Sequence, residues 1–127
     1  MILLIKRKEN IMKHEMKLQD KYYNFILNGT KRIEIRLNDD KRQKIKIGHL
    51  IKFLKEPELK ESFNAKVINL IKYKNFEDMF KDFDISVLAD KTMTKEKLLN
   101  VLEKFYTKEK QETYGVLAIV IDLIEKN

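Results

Sequence analysis

The chain contains no cysteine, one proline, three glycines and two histidines in 127 residues, and each scarcity removes a class of chemistry. Without thiols there is no disulfide, no thiolate nucleophile and no zinc site built on sulfur, a composition that fits a reducing compartment. Glycines at positions 29, 48 and 115 alone cannot form a phosphate-cradling loop of either common type. His14 and His49 stand far apart in sequence with no evident ligand set around either, so no metal and no other cofactor is expected. The only serines are Ser62 and Ser86, neither in a Gly-x-Ser-x-Gly elbow, which argues against a serine hydrolase. Long apolar runs are scarce too. The apolar part of "MILLIKRKEN" is too short for a signal-peptide core or a membrane span, and its basic residues follow it instead of preceding it. A cytoplasmic protein without membrane contact is expected.

What remains is an ordinary globular composition, 43% hydrophobic and 37% charged, at a length that supports one domain with one real core. Lys and Arg outnumber Asp and Glu by 27 to 20, which favours a polyanionic partner, nucleic acid before any other. Nothing points to an obligatory protein partner. A second methionine, Met12, opens "MKHEMKL", so residues 1–11 are expected as an N-terminal extension, a frayed arm or an edge strand, and residues 12–127 as the domain itself.

Along that domain the hydrophobic period changes several times. "HEMKL" alternates as a short strand, after which Leu18, Tyr22, Phe25 and Ile26 fall at helical spacing, with Asp20 in the first turn and Gly29 as the stop. From Arg32 the period is two: Ile33, Ile35 and Leu37 share one face, and Arg32, Glu34 and Arg36 share the other, which predicts a half-buried strand with an open charged face. Asn38–Asp40 is a turn signal, "KIKIG" reads as a second alternating strand and "LIKFLK" as a third, with Pro57 in the loop beyond. Phe63–Tyr73 is a strand long enough to need a bend. An aromatic, acidic helix follows with Asn75 as N-cap. Next comes an amphipathic helix capped by Thr92 or Thr94, its buried stripe formed by Leu98, Val101, Leu102 and Phe105. "TKEKQETYG" continues or restarts that helix. "VLAIVIDLI", apolar on both faces, reads as a central strand. Burial is expected for Ile33, Ile35, Leu37, Val67, Ile68, Val116, Ile119 and Ile121. About six strands and three helices in this order predict an α+β fold, a small barrel of about five or six strands with flanking helices.

The motif Gly29, Lys31, Glu34, Arg36 has the spacing Gly-x-Lys-x-x-Glu-x-Arg, and "YTKEKQETYGVLAIVIDL" lies near the other end. Together they resemble the ASCH domain, a β-barrel related to the PUA group of RNA-binding modules, over roughly Lys13 to Glu125. His49 departs from the pattern, where an Asp commonly follows the hairpin glycine. The resemblance implies a PUA-like barrel whose charged strand lines a cleft between barrel and helices, and that this cleft receives RNA or a nucleotide ligand.

On this reading Lys31, Arg32 and Arg36 supply phosphate-directed charge at the mouth of the cleft, and Lys41, Arg42, Lys44 and Lys46 extend it. Tyr22, Tyr23, Tyr73, Tyr106 and Tyr114 are candidates to stack bases, with Tyr106 and Tyr114 preferred because they flank the terminal helix. A plain ion ladder of Arg32, Glu34 and Arg36 on one strand face is the structural alternative. Glu34, a lone carboxylate among cations, either fixes the arginine geometry or does chemistry.

An enzyme also follows from the resemblance. Small bacterial ASCH proteins include N4-acetylcytidine amidohydrolases that use a Lys, a Thr three residues later and a Glu before the last helix. Lys31 matches the Lys, Glu34 replaces the Thr, and the Glu falls near Asp90 or Lys91. The implied alternative is a small hydrolase acting on a modified nucleoside or on RNA, with Glu34 as general base and Lys31 stabilising the oxyanion.

Overall fold

The computed structural model describes residues 12–126, so the expected N-terminal extension, residues 1–11, lies outside the described residues. Among them are five strands and five α-helices: β1 (Lys13–Leu18), α1 (Asp20–Leu27), β2 (Ile33–Leu37), β3 (Leu50–Lys55), β4 (Ser62–Tyr73), α2 (Phe76–Lys81), α3 (Ile85–Leu88), α4 (Lys95–Phe105), α5 (Lys108–Tyr114) and β5 (Val116–Lys126). The class is α+β, as expected, with two more helices than the sequence suggested. Asn75, Thr94 and Thr107 each cap a helix, their side chains accepting from the backbone N–H three residues on.

The strands form one curled sheet, a half-barrel, in the order β1-β3-β4-β5-β2. β1 runs parallel to β3 and every other pairing is antiparallel. The two strands nearest the N-terminus of the domain are therefore the two edges of the sheet. β5 sits between β4 and β2 with residues Val116 to Ile119 buried on both faces, the central strand its composition predicted.

Two apolar clusters hold the fold. Inside the curl, Met16, Leu18, Tyr23, Ile26, Phe53, Phe63, Val67 and Ile119 form the barrel core, with α1 packed over its end. On the outer face Ile33, Ile35, Leu37, Val116 and Ala118 meet Phe76, Met79, Phe80, Leu88 and Leu98 of the helices. Each fully buried large side chain contributes about 1.5–3 kcal/mol.

This double layer corrects the charged-face reading of β2. Ile33, Ile35 and Leu37 do share a buried face, but they face the helices; Glu34 and Arg36 pair across to Ile119 and Leu117, residues of the barrel core. Glu34 is accordingly buried, not displayed to solvent. Three further expectations fail locally. "KIKIG" is not a strand: the 3₁₀ turn Arg42–Lys44 runs into it, the His49 N–H closes a further turn by donating to Lys46 O at 3.0 Å, and only Ile45 of the stretch is buried. Ile68 is exposed because it is the extra residue of a bulge between Val67 and Asn69, which breaks the alternation of β4. Phe105, assigned to the buried stripe of α4, is 56% exposed, because its end of the helix overhangs a cavity. No helix of the described residues is long and apolar enough to cross a membrane.

Candidate functional site

The turn from α1 to β2 aims Lys31 inward. Asn28 ends the helix and Gly29 takes φ +89, a left-handed conformation that strains any residue with a Cβ. The chain then folds back on the helix, and the N–H groups of Thr30 and Lys31 both donate to Phe25 O, at 3.1 and 3.0 Å. From this turn the Lys31 side chain passes under β2, and its Nζ donates to Leu88 O at the C-terminus of α3 (2.7 Å) and to Ile33 O. A cation is favoured there because the last carbonyls of a helix lack intrahelical partners.

Lys31 is one end of a buried chain of charges. Its Nζ lies 3.5 Å from Glu34 Oε1, Arg36 Nε donates to Glu34 Oε2 at 2.7 Å, and Arg36 Nη2 donates to Lys17 O at 2.9 Å. That last bond crosses the gap between β1 and β2, so a side chain ties the edges that the backbone ladder leaves open. The side chains of Lys31, Glu34 and Arg36 are 3%, 6% and 14% exposed, so Arg36 is the member that reaches water.

Burial sets the electrostatics. Desolvation would push the Glu34 carboxyl up, but Arg36, Lys31 and the Ile35 N–H together hold it below its ordinary value, so it is ionised. The Lys31 amine is pulled below its ordinary value, first by burial, since the attraction of a carboxylate already shared with Arg36 does not fully offset the loss of water. For Arg36, burial opposes the charge and is outweighed by Glu34 and by a hydrogen bond with Tyr106, so the guanidinium stays charged. The Tyr22 hydroxyl is raised by burial and then by Glu34, which marks it as a neighbour of the carboxylate.

These groups line a cavity of about 180 Å³ in the seam between β1, β2 and α4. Its polar wall is Lys31, Glu34 and Arg36; its aromatic and apolar walls are Tyr22, Leu98, Leu102 and Tyr106, with Lys17 and Phe105 also on its lining. This volume lies below the roughly 300–1,000 Å³ that encloses a drug-sized ligand and suits a single planar ring. A larger groove of about 810 Å³ lies elsewhere, beside α5, and contains Tyr114. Its cations, Lys72, Lys74 and Lys108, are matched by Glu77, Glu103 and Glu112, and none of the buried charge chain reaches it. The smaller cavity is therefore the candidate site.

Of the residues singled out in the sequence, the structure brings Lys31, Glu34, Arg36 and Tyr106 together and leaves Arg32, Lys41, Arg42 and Tyr114 outside. Arg32 and Lys41 are exposed, and Arg42 pairs with Asp39 at 3.3 Å. Asp90 is buried but does not line the cavity; its carboxylate accepts from the Thr92 N–H at 2.9 Å. Sequence reasoning did not select Tyr22 over the other tyrosines, nor Phe105 or Lys17. The helical stripe read in the sequence named Leu18 and Tyr22, but Leu18 belongs to β1 and the fully buried tyrosine of α1 is Tyr23, which leaves Tyr22 half-buried toward the cavity. The two histidines, distant in sequence, meet with His14 Nε2 2.9 Å from His49 Nδ1, and no group of three or more potential metal ligands occurs among the described residues.

A family model described as the ASCH domain matches residues 16–125. Among solved structures, the hypothetical protein PH0355 is 36% identical with a TM-score of 0.78, over 89% of this chain and 100% of that one. The protein PF0455 from Pyrococcus furiosus, solved by NMR, is 32% identical with a TM-score of 0.71, over 90% of this chain and 99% of that one. A mutant of an ASCH protein from Zymomonas mobilis shares the fold alone, at 10% identity and a TM-score of 0.64, over 91% of this chain and 72% of that one. No curated protein matches the chain.

Proposed function

The chain belongs to the ASCH domain family, and from that premise we propose that it is an RNA-binding module that receives one unpaired nucleotide in the seam between β1, β2 and α4. The observation that carries the reading is Arg36. Its Nε is spent on Glu34 and one Nη2 proton on Lys17 O, and Tyr106 lines the cavity beside it. A guanidinium has five N–H donors, so donors remain for the cavity. With Tyr22 and Tyr106 beside it, the site offers what unpaired bases require: rings to stack on and fixed donors for a phosphate or a base carbonyl.

Glu34 and Lys31 serve this arrangement from behind. The carboxylate fixes the plane of Arg36, and Lys31 neutralises the carboxylate and anchors it to α3. The exposed Arg32, Lys41, Lys44 and Lys46, with the half-buried Arg42, lie outside the cavity and attract the flanking backbone without base preference. The test is binding of short single-stranded RNAs across a salt series. Arg36→Ala should weaken binding by at least about tenfold, the scale of one charge-assisted hydrogen bond. If that bond goes to phosphate, the slope of log K against log salt should flatten by about 0.7. Affinity indifferent to both salt and Arg36 refutes the reading.

One observation favours a second reading, hydrolysis of a modified nucleoside or of RNA: Lys31 and Glu34 converge at 3.5 Å in the wall of a cavity sized for one base. Lys31 Nζ has two protons committed to backbone carbonyls, and its third, directed at Glu34, is the one able to turn to an oxyanion. In this scheme Glu34 takes the proton of a water attacking the acyl carbon and returns it to the departing amine. Turnover of N4-acetylcytidine and related acylated nucleosides, lost in Glu34→Gln, would establish it. No turnover across the panel leaves the binding module.

A further inference from the structure

The cavity mouth carries a ring that its interior does not use. Phe105, the last residue of α4, is 56% exposed although it lies on the same helical stripe as the buried Leu98. Its centroid is 6.4 Å from that of Tyr106, with the planes at 54°, so the two rings are neighbours but not stacked. Tyr106 belongs to the interior: it packs at 5.9 Å against the fully buried Phe76 and lines the cavity together with Arg36. Phe105 belongs to the lip, which it shares with the exposed Lys17. An exposed phenyl ring beside a cation, at the exit of a cavity that holds only one ring, matches a ligand that continues outward as a second flat group joined by an anion.

We infer that Phe105 is a stacking platform for a second base, so that the ligand is a dinucleotide step of an unpaired strand and not a free nucleoside; this rests on the RNA-binding reading of the same cavity. The inner base occupies the seam beside Tyr22, Tyr106 and Arg36. The phosphodiester leaves through the mouth past Lys17, and the next base lies on the open face of Phe105. Stacking of this kind tolerates any base because every base has a π-face.

The experiment compares, by calorimetry on the full chain, the four ribonucleoside 3′-monophosphates with the homodinucleotides UpU, CpC, ApA and GpG. A 3′-monophosphate carries at least as much negative charge as the dinucleotide, so a tighter dinucleotide is not an effect of charge. The wild type should bind its preferred dinucleotide about 5- to 150-fold tighter than the corresponding monophosphate, the range of one base–aromatic stack. In Phe105→Ala that ratio should fall to near one, and in Phe105→Trp it should persist. A wild-type ratio near one, or a ratio unchanged in Phe105→Ala, overturns the second-base platform while leaving the cavity reading standing. Absence of binding by both ligand classes overturns the cavity reading and the platform with it.

Discussion

Glu34→Gln tests whether the buried charges are coupled as the geometry implies. The amide is isosteric and its oxygen can still accept from Arg36 Nε, so what is lost is the single anion between two cations whose side chains are 3% and 14% exposed. Removing one partner of a buried pair costs about 3–5 kcal/mol. Arg36 reaches cavity water and recovers part of its solvation, which places this case near the lower end, at about 3 kcal/mol. An unfolding entropy of roughly 2.1 cal/mol/K for each of 127 residues gives about 0.27 kcal/mol/K, so Tm should fall by about 11 °C. Thermal and urea melts of the wild type, Glu34→Gln, Lys31→Met and the double variant form a cycle. Its interaction term should exceed about 1 kcal/mol, because Lys31→Met removes the amine that the neutral amide strands.

Acid provides a second readout of the same coupling. The folded Glu34 carboxyl sits below its unfolded value near 4.5, so its stabilisation is complete above that pH and is lost as pH falls through the lower folded value. The stability gap between wild type and Glu34→Gln should therefore close in acid. Stability of Glu34→Gln within about 0.5 kcal/mol of wild type at neutral pH, or a gap that does not narrow in acid, would show that the carboxylate is not the counter-ion described.

Other expected outcomes are more local. His14 is held below its ordinary 6.5 by burial, then by His49 and Lys41, so the unfolded chain takes up this proton first; stability present above about pH 6.5 should decline below it, and His14→Gln should flatten that limb of a Tm–pH curve. Gly115→Ala should cost about 1–3 kcal/mol in urea unfolding, since φ is +71 and a Cβ would sit 3.1 Å from Tyr73 O; Gly29→Ala, strained but facing open space, should cost less. Ile68→Lys should shift the urea midpoint by under about 0.5 kcal/mol, whereas Val67→Lys, one residue away, should unfold the protein by burying an unpaired ammonium.

The sequence carried the order of elements and the make-up of the site better than the surroundings of either. Alternation showed that Ile33, Ile35 and Leu37 share a face and that Glu34 opposes them, but period two does not say whether the opposite face meets water. That depended on the curl of the sheet, which encloses both faces of β2. The motif drew attention to Lys31, Glu34 and Arg36, and these do converge. The groups that anchor them, Leu88 O and Lys17 O, are backbone carbonyls and leave no mark in the side-chain pattern. "KIKIG" had the alternation of a strand, but it lies between the 3₁₀ turn Arg42–Lys44 and the turn that the His49 N–H closes on Lys46 O. Phe105 was misplaced because helical spacing identifies a stripe without showing where the surface beneath it ends.

The strand order also constrains when the site can exist. β1 pairs with β3, Lys13 opposite Leu50, and β2 pairs with β5, Ile33 opposite Val120. Both rims of the seam are made early during synthesis, and the strands that hold them come later, in the case of β2 as the last strand of the domain. During translation Lys31, Glu34 and Arg36 thus emerge as three unpaired charges on a segment with no ladder to join. Their burial must wait for the final strand to slide in between β4 and β2. A ribosome-bound chain lacking β5 has no partner for β2, so the cavity forms in a single late step.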